Sequence, residues 1–213
     1  MSNLRRLKPV VVAVACLVLI GWTGFMIVSR LKNDAAAIVD DTLPGLVYAG
    51  QIDSELSENF ARTLLVINSD SPENRDLYLK RIEEGSKRVN DSMSGYERSI
   101  YEEQDRQLFS HLTALREKYQ EVRRRVFDLV KGEKRNEALR LLEAELLPAY
   151  AAQKEAGEAL FDYNVRQGNQ RGTRIELVCR RTQWIVTALC VAVFVGGFFV
   201  PFFAIRLPPN IWK

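Results

Sequence analysis

A chain of 213 residues, 47% hydrophobic and 27% charged, is long enough for one domain of ordinary size with additions at its ends. Its 30 basic and 27 acidic residues nearly cancel, and the remaining +3 is spread out, which excludes the basic stripe of a nucleic-acid binder. Three cysteines, one histidine and no glycine-rich phosphate loop exclude a disulfide scaffold, a metal centre of ordinary ligand spacing and a nucleotide-binding loop.

Charge and apolar side chains are segregated along the chain. All 27 carboxylates lie between Asp34 and Glu176, flanked by two uncharged runs of 21 residues at 9–29 and 184–204. As a helix each run would extend about 31 Å, close to the hydrocarbon thickness of a bilayer. The sequence therefore predicts transmembrane helices at 9–29 and 184–204, a water-facing domain at 30–183, and short tails at 1–8 and 205–213. The first run is too long for the about 7–15-residue apolar core of a cleaved signal peptide and leads directly into a helical pattern, so an uncleaved anchor is expected. Arg5, Arg6 and Lys8 precede it, and basic residues in a short tail favour the cytoplasmic side. Both tails are thus expected inside and the central domain outside. Cys16 and Cys190 would lie at different depths in the bilayer, so all three thiols are read as packing residues.

The first helix is predicted to continue from the membrane to about Asn68. Ala49, Ile52, Leu56, Phe60, Leu64 and Ile67 recur at spacings of 3 and 4, one buried stripe of an amphipathic helix. Pro44 should kink it near Asp40 and Asp41, because proline removes a backbone donor and clashes with the preceding turn. Ser71 and Pro72 form a helix-start signal. The second helix (72–101) carries Tyr78, Ile82, Val89, Met93, Tyr96 and Ile100. An acidic cluster opens the third (103–132), with Phe109, Leu112, Leu115, Tyr119, Val122, Val126 and Leu129 inward and Gly132 as its C-cap. The fourth (134–183) places Ala138, Leu142, Ala149, Ala156, Leu160 and Tyr163 on one face and has Pro148 as a kink. Four such helices with short connections predict an all-α, antiparallel up-down four-helix bundle continuous with two transmembrane helices.

Few residues suggest chemistry. His111 stands alone on the third helix and is read as a surface or core-edge residue. The carboxylate pairs Asp40–Asp41 and Glu83–Glu84 are expected on exposed faces, and Arg123, Arg124 and Arg125 point in different directions on a helix. No catalytic constellation emerges, so the chain is expected not to be an enzyme and to need no cofactor or metal. Ligand capture is the better prospect. By helical rise, Arg62 on helix one and Arg140 on helix four lie level, about 9–10 Å from the distal turns. An arginine fork suits a carboxylate.

The segments DDTLPGLVYAG and ENFARTLL in helix one, KYQEVRRRVFDLVKGEK in helix three and NEALRLLEAELLPAYAAQ in helix four resemble the four-helix-bundle sensory module of bacterial methyl-accepting chemotaxis receptors and related two-span sensors. The resemblance implies a periplasmic, dimeric, ligand-sensing domain in the inner membrane. It implies small anions or a binding protein as ligand, with Arg62 facing helix four across the dimer, and signalling by small shifts of the fourth helix and second span. Members of that family continue into a cytoplasmic output part, whereas this chain stops at IRLPPNIWK. A truncated relative, or a receptor acting through a separate cytoplasmic signalling protein, is the expectation. The alternative is a dimeric helical membrane scaffold or adaptor without a small-molecule ligand.

Overall fold

The computed structural model describes the backbone of residues 2–206, with side chains at 18, 21–189 and 191. The described residues are helical apart from short turns: α1 (Ser2–Ala37), a π turn (Ile38–Thr42), α2 (Leu43–Asn68), α3 (Pro72–Arg98), α4 (Glu103–Lys131), α5 (Arg135–Leu141), a second π turn (Leu142–Leu146) and α6 (Leu147–Arg206). They form two compact units, one of Ala36–Gln170 and one of Met1–Ala35 with Arg171–Lys213.

Ala36–Gln170 is the bundle. Antiparallel register between α2 and α3 is fixed by Arg88 on Glu55 (2.5 and 2.9 Å) and Ser92 on Gln51 (3.1 Å). Between α2 and α6 it is fixed by Lys154 on Asp53 (3.0 Å) and Tyr150 on Ser57 (3.4 Å). The predicted stripes turn inward as two apolar clusters. One lies toward the turns at 68–71 and 131–134 and holds Ile67, Ile82, Val126, Leu142 and Leu146. The other holds Ile52, Leu56, Val89, Met93, Leu112 and Leu160. No helix can bury such a stripe alone, so each is stabilised by the other three.

Helix ends follow local chemistry, with one exchange of roles. Ser71 caps α3 by accepting from the Asn74 amide (3.3 Å), with Pro72 at the first helical position. α3 ends at Arg98, a few residues before the sequence places it, and Ile100 stays buried in the connection. After α4, Gly132 stays right-handed (φ −81°) and Glu133 takes the left-handed conformation (φ 58°). The Lys134 amide then reaches the Leu129 carbonyl (2.9 Å). Arg135 ties the two distal turns together through Asp70 (2.8 Å) and the Asn68 carbonyl (3.4 Å).

Both prolines act differently from a simple kink. Pro44 and Pro148 each stand two residues after a π turn, in which the Leu43 amide bonds back to Ile38 and the Leu147 amide to Leu142. The extra residue in each wide turn accommodates a proline that lacks a donor and crowds the carbonyl four residues back.

Between the apolar clusters, Asn59, Thr63 and Gln153 are fully buried. Thr63 donates to the Asn59 carbonyl (2.8 Å), and Asn59 packs against Gly85, where a Cβ would collide with its amide. The Gln153 amide has no hydrogen-bond partner on either its nitrogen or its oxygen. Gln153→Leu is therefore expected to raise the unfolding free energy by about 1–2 kcal/mol, because an apolar side chain of similar size removes an unmet polar burial. A urea midpoint followed by circular dichroism checks this, and a lower midpoint would mean that the amide is satisfied in solution.

The second unit is described by itself. Arg174 reaches Asp34 (3.4 Å), and Arg180 pairs with Glu176 (2.9 Å). Among the described residues no helix is long and apolar enough to cross a membrane. The runs at 9–29 and 184–204, with Cys16 and Cys190, fall mainly outside the described side chains. Cys179 is free and exposed, against the expectation that every thiol packs.

Candidate functional site

Arg62 and Arg140, the two arginines singled out by helical rise, are not brought together. Arg62 is half-buried and turns along its own helix, bonding Glu58 and Asn59 (3.3 Å to the latter). Arg140 is exposed in a shallow groove of about 810 Å³ between α4 and α5, also lined by Arg125, Asp128, Leu129, Lys134, Glu137 and Leu141. Arg62 does not line it. Within this groove Arg125 grips Glu145 through both nitrogens (2.6 and 3.1 Å). That bond holds the Glu145 carboxyl below its ordinary value. Lys134 is shared with Glu137 (3.5 Å). Among the described residues Arg140 carries no ion pair, which leaves its fork available to an anion.

The three consecutive arginines diverge, as helical geometry requires. Arg123 lies over the rings of Tyr119 (5.3 Å) and Phe127 (5.9 Å). Arg124 is exposed, and Arg125 belongs to the groove. His111 is exposed.

The most connected polar assembly lies at the other end of the bundle. The Tyr96 hydroxyl donates to the Asp105 carboxylate (2.5 Å) and accepts from the Asn164 amide (2.6 Å), which also donates to the Leu160 carbonyl (2.9 Å). Asp105 is only 3% exposed and Tyr96 is fully buried. Beside them Tyr163 donates to Glu102 (2.8 Å), and Gln167 donates to the same carboxylate (3.2 Å). Asn164 packs on Gly45, where any side chain would strike its amide. Three helices thus meet through side-chain hydrogen bonds. Burial, with the Asp105 charge, pushes the Tyr96 phenol far above its ordinary value.

The sequence missed this assembly. It placed Asp40 and Asp41 together on an exposed face, but Asp41 is buried and only Asp40 is exposed. It took the carboxylates at 102–105 as a helix-start signal, yet Asp105 points into the core. The one available clue was phase. Asp105 precedes Leu112 by seven residues and Tyr119 by fourteen, on the same helical face.

No curated protein matches the chain. A family described as a four helix bundle sensory module for signal transduction matches residues 6–176. That span contains the whole of α2, α3, α4 and α5, and most of the side chains that build the two apolar clusters. The chain belongs to the four-helix-bundle sensory module family and carries a sensor domain for signal transduction.

Proposed function

We propose that the protein is a chemoreceptor-like sensory receptor of the bacterial inner membrane. It crosses the membrane twice at 9–29 and 184–204, and its bundle lies on the periplasmic side. It works by binding and helix displacement, with no catalytic step and no cofactor. The observation that carries this is the distribution of exposed apolar side chains. Trp22 (66% exposed) and Trp184 (71%), with Phe25, Val28, Ile185 and Val186, stand out from the two uncharged runs, where lipid would cover them. A reporter active only outside the cytoplasm, inserted near the exposed Asp91, tests the topology. Activity is expected, and a reporter active only in the cytosol would overturn the reading.

A homodimer is supported by a stripe on α2. Leu43, Val47, Ser54, Ala61 and Leu65 are exposed and, with Gly50, fall within about 60° of one another around the helix. Val47→Arg combined with Leu65→Arg is expected to convert the detergent-solubilised dimer to monomer while helicity is retained. Light scattering that still gave dimer mass would move the interface elsewhere.

The ligand class proposed is a small anion or an anionic patch on a binding protein, taken by Arg140 in its groove and by Arg62 on the flank of the α2 stripe. A displacement of α6 would then reach a separate cytoplasmic signalling protein. Thermal-shift or calorimetric screening of the full chain against small carboxylic acids is expected to find a stabilising ligand whose effect is lost in Arg62→Ala or Arg140→Ala. The rival reading, a helical scaffold or adaptor without a ligand, is favoured by the engagement of Arg62 with Glu58 and Asn59. A screen without a hit on a stable dimer would select it.

A further inference from the structure

The bundle end that carries Tyr96, Asp105 and Asn164 is also the end at which the chain enters α2 through the π turn. Asp41, in that turn, is buried, and its charge acts on both Tyr96 and Asp105. Two buried carboxylates from different elements therefore face one phenol. The groups around Asp105 are Asp41 from the π turn, Tyr96 from α3, Glu102 and Arg106 from α4, and Tyr163 and Asn164 from α6. Arg106 is the one cation among them, and it is exposed and drawn toward Glu103 (3.8 Å). Negative charge in this joint is thus weakly compensated.

We infer that the joint is a proton-operated latch: a proton on Asp105 tightens the π turn at Ile38–Thr42 against α3 and α4, and its loss loosens it. When Asp105 is ionised it repels Asp41 across a poorly solvated interior, where such repulsion is strong. When it is neutral the repulsion ends, while its carbonyl oxygen still accepts from Tyr96 and the Asn164 link to α6 persists. Burial already pushes the Asp105 carboxyl up from its ordinary value, and Asp41 and Glu102 add to this against the Tyr96 hydrogen bond and Arg106. A carboxyl raised in the folded state stabilises that state most below its ordinary value near pH 4, and the contribution is lost as pH rises through the folded value. The latch therefore closes in acid and opens toward neutrality. No ligand and no dimer are required, so the inference stands apart from the proposed function.

Amide hydrogen exchange at residues 38–43 of the full chain in detergent tests it, at about pH 4.5 and about pH 7.5, with rates corrected for intrinsic chemistry. The wild type is expected to protect these amides about tenfold better in acid, the factor that follows when one coupled proton shifts by one decade. Asp105→Asn should show the protected rate at both pH values, and Asp41→Asn should shrink the difference. Amides of the distal turn at 131–134 should show no such dependence in any of the three proteins. Equal corrected rates in the wild type at the two pH values would overturn the latch, as would an Asp105→Asn protein that kept the wild-type dependence. Should Asp105→Asn fail to fold, the wild-type comparison and Asp41→Asn decide the matter, since an unchanged difference in Asp41→Asn also rejects the mechanism.

Discussion

Leu146→Ala is expected to lower the unfolding free energy by about 3–5 kcal/mol, whereas Leu147→Ala changes it by less than about 1 kcal/mol. The two residues are adjacent and chemically identical, but Leu146 is 0% exposed and Leu147 41%. Leu146 closes the second π turn and packs in the distal cluster with Val126, Ala138 and Leu142. Its truncation removes buried methyl and methylene groups and leaves a cavity that surrounding helices fill only in part. Leu147 has little to lose. Urea titration of the full chain in mild detergent, read by far-ultraviolet circular dichroism, checks both. Comparable losses in the two variants would show that the phase of the fourth helix is not the one described.

Tyr96→Phe should cost about 2–4 kcal/mol at neutral pH although it deletes a single oxygen. The phenylalanine keeps the stacking on Phe109 (5.3 Å between ring centroids). It leaves the Asp105 carboxylate and the Asn164 amide without their shared partner in the interior, and a buried group stripped of its bond costs its full desolvation. The deficit should narrow in acid, where a neutral Asp105 is cheaper to bury. At the alkaline end the order reverses. The folded phenol is raised by burial and by Asp105, so the unfolded chain loses its proton first, near pH 10. Wild-type stability then falls by about 1.4 kcal/mol per pH unit from this group, and Tyr96→Phe lacks that component. Denaturation midpoints across pH measure it. A cost independent of pH would mean that Asp105 and Tyr96 are not coupled.

The apolar scaffold was legible because its signal is periodic. Ile52 and Leu56, Ile82 and Val89, Leu112 and Tyr119, and Leu142 and Leu160 all fall inward as the 3/4 spacing requires. The buried polar residues were not legible, because a polar side chain on an inward position interrupts the pattern and carries no marker of its partner. Gln153 occupies an inward position of helix four, yet read alone it resembles a surface glutamine. Asp105 could be placed only by knowing that Tyr96, from another helix, ends beside it. The prolines announced a disturbance but not its form, since a kink and a wide turn both answer the loss of the same amide. Arg62 and Arg140 were placed level by rise along separate helices. Rise fixes height and leaves azimuth open, which is why one arginine turned back onto Glu58 and the other into the α4–α5 groove.

The two wide turns have a consequence for how the molecule can change over generations. Each holds an additional residue within an otherwise regular rod, so a codon deleted there would be absorbed by reversion to ordinary winding, with everything beyond it rotated by about 100°. A deletion inside Leu142–Leu146 would swing the Gln153 and Leu160 face away from its neighbours, and one inside Ile38–Thr42 would turn the start of α2 relative to the segment before it. The same edits elsewhere in these helices would have no such local remedy. Lineages that lengthen or shorten this bundle should therefore carry their single-residue insertions and losses just ahead of the two prolines.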